Sequence, residues 1–431
     1  MFRPPGEQLE SLGQFQLAHG RSALEENNER HISAVHKILR SLDNFLNYYP
    51  ADGGCDEGPG YWGRAGGSLF DCLELLHSAT GGALSIYTDP LVQNIGRYIY
   101  RVQIDEDYFI NFADASARVN VAADLVFRYG QRIGDRQMMA FGAFAAARQG
   151  VGKSAVSGGG SIGRQLHALF NLSELLSAEA AEPLLRDVWL PEIQVMVAHS
   201  EGGSSEGLYL AAKGGHNAES HNHNDVGNFI VYVDGRPAII DAGVGTYTAQ
   251  TFSSRRYEIW TMQSGYHNLP TIGGVMQENG REFAARDVSY QADDSRAQFS
   301  LDIASAYPSE AGVREWRRTL RLERGKQIEL VDSYRLSDPA SELTLTLMTP
   351  CEVALVEPGK LTLRTTPSQS GEQSSLAIEY DSQKLSVTTE EIPLEDRRLE
   401  RVWGSHLTRI LLTAQSPPTE DSWVFRVIPI D

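Results

Sequence analysis

Between Lys213 and Pro270 the chain reads KGGHNAESHNHNDVGNFIVYVDGRPAIIDAGVGTYTAQTFSSRRYEIWTMQSGYHNLP, and four of its eleven histidines fall in this span. His221 and His223 form a His-x-His pair, Asp241 follows a hairpin signal, and His267 sits in a Tyr-His-Asn-Leu-Pro turn. Imidazole nitrogens and a carboxylate gathered from separate loops are the donors a divalent zinc site requires. One histidine alone is usually a satisfied structural residue; four amid Asn, Asp and Gly weigh toward a functional site. Around them Asn217, Asn222, Asn224, Arg255, Arg256 and Tyr257 offer amide, guanidinium and phenol groups suited to gripping a charged sugar.

A second stretch, Asp52 to Phe70, reads DGGCDEGPGYWGRAGGSLF and carries Glu57, Tyr61, Trp62 and Arg64 on a Gly/Pro-rich connection. In a sugar-facing loop, Trp62 is a stacking face, Arg64 a fork for a carboxylate or sulfate, and Tyr61 a phenol able to exchange a proton. The competing reading is a plain helix connection with an aromatic plug. Two other patterns carry less. Ala147 to Ser154, ARQGVGKS, approximates a phosphate loop but follows a helical segment rather than a strand, so it reads as an inter-helix loop. The spacing from Gly215 to His221-x-His223 mimics the opening of a cupin metal motif, yet Asn224 to Asn228 lack the glutamate a cupin requires.

Composition narrows the classes. The chain has 431 residues, enough for two or three domains with full cores. A formal net charge of −18 argues against nucleic-acid binding, which needs a basic surface. A locally basic cleft on an acidic body still allows an acidic partner. No run approaches the ~18 apolar residues that cross a bilayer. Cys55, Cys72 and Cys351 are too scattered for a disulfide framework or a cysteine metal knuckle, leaving nitrogen and oxygen as ligands. The start, MFRPPGEQLESLGQF, shows no signal peptide and resembles the inside of a fold.

The elements that must position these residues change character along the chain. In His31–Tyr49 the apolar residues Ile32, Val35, Ile38, Leu39, Leu42, Phe45, Leu46 and Tyr49 recur at spacings of three and four, and Pro50 ends the run. Similar helical stretches cover 67–78, 88–103, 116–131, 135–149 and 163–176. The pitch predicts stacked helical hairpins, an α/α toroid, over 1–187. From Trp189 the period becomes two, and Ile193–Val197, Leu208–Ala212, Phe229–Val233, Ala238–Ile240, Glu315–Leu322, Gln327–Tyr334, Leu343–Met348, Lys360–Thr365 and Leu385–Thr389 read as strands. Strand following strand makes 188–431 an antiparallel β-sandwich, and the whole an α+β multidomain protein. The Ser/Gln-rich stretch 366–375 reads as an exposed loop. One geometric condition follows. If Asp234-Gly235 is a two-residue hairpin turn, Asp241 pairs opposite Asn228, and His223 lies too far along to join it unless the chain bulges at Asp225–Gly227.

A helical half carrying DGGCDEGPGYW, then a sandwich carrying ESHNHND, DAG and YHN, resembles the heparinase II/III-like polysaccharide lyases, which include heparan-sulfate and alginate lyases. The resemblance implies β-elimination at a uronic acid in a glycosaminoglycan or alginate, one zinc of structural role, and an acidic polysaccharide or oligosaccharide as partner. It matches His223, Asp241 and His267 to the zinc ligands and His221 to the histidine facing the uronate. It matches Tyr61 to the acid/base tyrosine and Tyr257 to a further tyrosine at the substrate. Glu57, Trp62, Arg64, Asn222, Arg255 and Arg256 are the accompanying substrate-binding candidates. Neutralising the uronate carboxylate lets charge develop at C5; His221 and Asn222 are candidates for that, and Tyr61 or His221 for the base. A periplasmic or secreted location and a homodimer are also implied. One departure stands out: the family's Asn/His motif, some fifty residues before the tyrosine, has no counterpart in MFRPPGEQ, which makes an N-terminally truncated, incomplete toroid the expectation. A catalytically impaired saccharide-binding relative and, further off, a cupin-like metal enzyme are the alternatives.

Overall fold

The computed structural model describes residues 27–153, 161–367 and 373–430. Residues 1–26, the last residue of the ARQGVGKS stretch with those after it (154–160), and the centre of the 366–375 loop lie outside them. Two compact units are present: Met1–Cys55 with Pro59–Arg101 and Val119–Pro183, and Asp56–Gly58 with Val102–Arg118 and Leu184–Asp431. A single boundary near 188 was the expectation. Two short pieces of the N-terminal half instead pack into the second unit.

The first unit is helical, with Asn28–Tyr48, Pro59–Trp62, Gly66–Ala79, Pro90–Arg101, Ala123–Ile133, Arg136–Arg148, Ile162–Phe170 and Leu172–Ser177. Local chemistry sets the ends. Asn27 Oδ1 accepts from Arg30 N, and Asp135 Oδ1 accepts from Met138 N, each satisfying a first-turn donor. Gly134, at φ +69°, closes the helix before Asp135. The expected helix 116–131 begins only at Ala123, because the preceding residues run extended, with a bridge from Tyr108 to Arg118. The expected helix 163–176 breaks at Asn171.

The second unit is antiparallel throughout its named sheets. One sheet runs Asp187–Leu190, Val195–His199, Leu208–Lys213, Phe229–Val233, Arg236–Ile239. A second is built on Val313–Glu323, Gln327–Leu336 and Glu420–Ile430, and a third on Ser386–Pro393, His406–Gln415 and Glu342–Thr349. Alternate burial along Val313–Glu323 is the period-two signature of a half-covered strand. Phe229–Val233 is buried at every position. Its Phe229, Val231 and Val233 enter the apolar core with Phe299, Leu320, Leu345 and Leu412. Across the sheet, Tyr232 meets Tyr108 edge-on at 5.6 Å, and His199 Nε2 lies 3.0 Å from the Ile104 carbonyl. The 102–118 segment therefore covers the second face of this sheet, which is why it belongs to the unit. It also delivers a carboxylate to the histidine cluster.

A short helix, Arg397–Trp403, interrupts the strands near the end of the chain. Its seven residues are too few for helical spacing to stand out among period-two strands.

Candidate functional site

The His-x-His loop, 214–227, is held at both ends. Lys213 is buried, and its Nζ donates to Glu219 Oε2 and Asp225 Oδ1, each at 2.7 Å. Gly227, at φ +86°, takes the left-handed conformation, and Asn228 N donates to the Asp225 carbonyl at 3.0 Å. A Cβ at Gly227 would stand 2.7 Å from Ile303 Cγ2. The bend the metal geometry demanded is therefore present. On the hairpin, Val233 faces Arg236 across Asp234-Gly235, whose φ values of +49° and +70° fit a type I′ turn. A register shift between Val231 and Tyr232 moves the pairing by one residue. Asn228 still reaches Asp241, donating to its Oδ2 at 2.7 Å.

His223, Asp241 and His267 converge, all buried, with one ligand atom from each lying within 4.8 Å of the others. His223 Nε2 is 3.0 Å from Asp114 Oδ1, and His267 Nδ1 is 3.0 Å from Asp241 Oδ2. With each ring donating to its carboxylate, the ring protons are assigned to His223 Nε2 and His267 Nδ1. His223 Nδ1 and His267 Nε2 are then lone-pair nitrogens, buried and without a hydrogen-bond partner among the described residues. A buried polar atom left so costs about 1–3 kcal/mol. Two in one cluster beside a carboxylate fit a divalent ion, with Asp114 orienting one ligand from behind. Arg318 ties the ligand loops to the sandwich. It is paired twice to Asp332, while its Nη1 donates to the carbonyls of Gly227 at 2.9 Å and Asn268 at 2.7 Å.

Asp114 was not among the sequence candidates, and it is the hub of the site. It is fully buried. Its Oδ2 meets His221 Nδ1 at 2.7 Å and accepts from the Tyr247 hydroxyl at 2.9 Å; its Oδ1 accepts from Arg256 Nη2 at 2.6 Å. Burial would raise its carboxyl pKa, but the hydrogen bonds from His221 and His223 and the charge of Arg256 outweigh that and hold it well below the ordinary 3.8. His221 is the opposite case. Burial lowers its pKa, but the Asp114 hydrogen bond and the Glu57 and Asp114 charges outweigh that, and the net shift is upward. Its Nε2 lies 3.7 Å from Glu57 Oε2. Both partners in the 2.7 Å bond leave strained backbone: His221 has φ +54° and Ala113, just before Asp114, +59°. Such conformations cost of order 1–3 kcal/mol and persist where surroundings over-determine them. Here Arg256 Nη2 donates to the His221 carbonyl at 2.9 Å, and Ser220 N donates to Asp56 Oδ2 at 3.2 Å.

The other candidates divide. Asn222 is buried and donates to the Tyr257 hydroxyl at 3.1 Å. Tyr257 has its pKa raised, by burial first, against the lowering effect of Asn222 and Arg256. Two substrate assignments need correction. Arg256 is buried, its donors spent on Asp114 and on the carbonyls of Asn222, Thr251 and His221, so it is a strut and not a sugar fork. Trp62 is 1% exposed, donates through Nε1 to the Ile95 carbonyl and stacks on Tyr129, which is the aromatic plug and not a platform. Arg255 is exposed and engages Glu258 through two nitrogens. In the helical unit, Tyr61 is half-buried on the Pro59–Trp62 turn and Arg64 is exposed. Nothing local in the sequence flags Asp114 or Tyr247, since their partnership with His221 spans 107 and 26 residues.

Metal analysis of the purified protein is expected to give about one equivalent, and His223→Ala to abolish it. An ion held at ~100 times its dissociation constant adds about 2.7 kcal/mol, so chelation should lower Tm in the wild type and leave the variant unmoved. A wild type indifferent to chelator would remove the metal assignment.

Comparison with known proteins follows the same residues. A family model described as Heparinase II/III-like, C-terminal matches residues 189–416. The heparan sulfate lyase HepC from Pedobacter heparinus superposes with a TM-score of 0.68 at 14% identity, covering 100% of this chain and 61% of that one. A structure titled heparinase III gives 0.66 at 14% identity over 93% of this chain and 58% of the other, and the heparinase III-BT4657 gene product 0.67 at 14% over 100% and 60%. The chain thus spans about three fifths of the length of these relatives, and at such identities the likeness is one of fold. No curated protein sequence matches significantly. With the family model covering more than half of its residues, and the histidine site lying inside that match, the chain belongs to the heparinase II/III-like family.

Proposed function

We propose that this protein is a polysaccharide lyase that breaks a uronic-acid glycosidic bond by β-elimination, its helical unit being part of an α/α toroid. The observation that carries the reading is His221. It is a partly exposed imidazole in an otherwise buried polar cluster, oriented by the buried Asp114 and raised in pKa beside Glu57. A histidine held ready to be protonated can donate to the uronate carboxylate. Charge then develops at C5 as an enolate-like form, a stabilisation worth about 3–4 kcal/mol for a well-placed donor. Tyr61 or His221 takes the C5 proton. The C–H electrons form the C4–C5 double bond, the C4–O4 bond breaks, and Tyr61 protonates the departing oxygen.

Tyr61 is assigned the acid/base role as a phenol on the Gly/Pro-rich stretch that follows Glu57. We assign zinc to His223, Asp241 and His267; when bound it supplies a fixed positive charge that locks the loop bearing His221. The named lyases among the structural neighbours favour a heparan-type glycosaminoglycan as the first substrate to try. The test is incubation with heparan sulfate, other uronate polymers and a neutral glucan while following enol-ether absorbance. Rising absorbance with a uronate polymer is expected; its absence across the panel would defeat the lyase reading.

A further inference from the structure

Around His221 most cations are already committed: Arg256 to Asp114 and three carbonyls, Arg255 to Glu258. Arg398 is not. It lies on the late helix Arg397–Trp403, half-buried, and its guanidinium carbon stands 5.4 Å over the Tyr247 ring. Nη2 donates weakly to the Asp114 carbonyl at 3.3 Å, and no ion pair holds it among the described residues. A guanidinium has five N–H donors, so most of this fork remains to be offered. Its placement is built. Asp396 caps the helix by accepting from Arg398 N and Leu399 N, and its second oxygen accepts from Thr246 N at 2.8 Å. At the other end Trp403 Nε1 donates to the Ala242 carbonyl at 3.0 Å. Both ends of the helix are thus fastened to the 242–247 segment that follows Asp241. Tyr247 stacks on His221, with centroids 6.1 Å apart at 28°. Phe252, 68% exposed, meets the Tyr247 ring edge-on at 5.3 Å.

We propose that Arg398, with Tyr247 and Phe252, forms an oxyanion-binding sugar subsite beside His221, where the guanidinium holds a carboxylate or sulfate of the polymer and the aromatic faces carry the ring. It rests on the lyase reading for the identity of its ligand, but its own test is binding. A bidentate Arg pair with an oxyanion is a charge-assisted contact, and losing it is expected to weaken affinity about 10- to 100-fold.

The experiment titrates wild type, Arg398→Gln and Arg398→Lys calorimetrically with four heparan-type oligosaccharides: native, desulfated, carboxyl-reduced, and both desulfated and carboxyl-reduced. Arg398→Gln should lose that factor on the native ligand and nothing on the neutral one, with Arg398→Lys between. A loss kept after desulfation assigns the carboxylate; one kept after carboxyl reduction assigns the sulfate. Equal affinity of Arg398→Gln and wild type, equal weakening on the neutral ligand, or no wild-type binding would each overturn the subsite. Enol-ether absorbance run alongside separates the two readings. Turnover with an unchanged Arg398→Gln affinity defeats the subsite alone; an Arg398-dependent affinity without turnover defeats the lyase reading alone.

Discussion

Tyr61→Phe is expected to lower turnover on the cleaved polymer by about 100- to 10,000-fold, the range of general acid–base contributions, with substrate affinity little changed. The substitution deletes one oxygen and keeps the ring, so the Pro59–Trp62 turn, anchored through Trp62 on Ile95, should fold as before. Near-normal turnover in Tyr61→Phe would move the role to His221 or Tyr257. Parallel measurements on Tyr257→Phe discriminate these, because Tyr257 is already engaged by Asn222 and its raised pKa leaves less of it as the phenolate a base requires.

Asp114→Asn is expected to be the most damaging substitution to stability, about 3–5 kcal/mol, because it removes one partner from buried charge pairs and leaves the others uncompensated. Arg256, His221 and His223 all lose an anion, and the amide presents a donor where they need an acceptor. The loss should appear as a lower denaturant midpoint at unchanged m-value. The pH dependence has a definite sign. Asp114 titrates lower when folded than when unfolded, so its contribution is present above about pH 4 and fades as pH falls toward the folded value. The variant should therefore show a flatter acid limb than wild type. His221 is shifted up; its contribution is present below its unfolded value near 6.5 and is lost as pH rises through the folded one. An acid limb identical in both proteins would show that Asp114 is not the hub.

Much of the architecture was legible because it rests on local pattern. Helical spacing of apolar residues located Asn28–Tyr48 and Arg136–Arg148, and period-two runs located Leu208–Lys213 and Gln327–Leu336. The helix Arg397–Trp403 had a readable signal, an Asp cap before it and Gly404 after it, but it stands in a strand-rich context that absorbed it. The convergence of His223, Asp241 and His267 was also legible, since imidazoles and a carboxylate in one short span are few and chemically distinctive.

What the sequence by itself determined is therefore which three residues offer donors for an ion, the hairpin that precedes Asp241, and the two kinds of secondary structure. What only the tertiary structure decided is which polar groups face one another. Asp114 reaches His221 because 102–118 crosses to cover the buried sheet, and Arg398 reaches Tyr247 because a late helix is pinned to the Asp241 loop. The same holds in the negative: Arg256 and Trp62 have the residue types of sugar binders, yet packing spends the one on carbonyls and buries the other. The physical reason is range. Backbone propensity and side-chain periodicity act over a few residues. A hydrogen bond across 107 or 284 positions leaves no local trace in the chain that makes it.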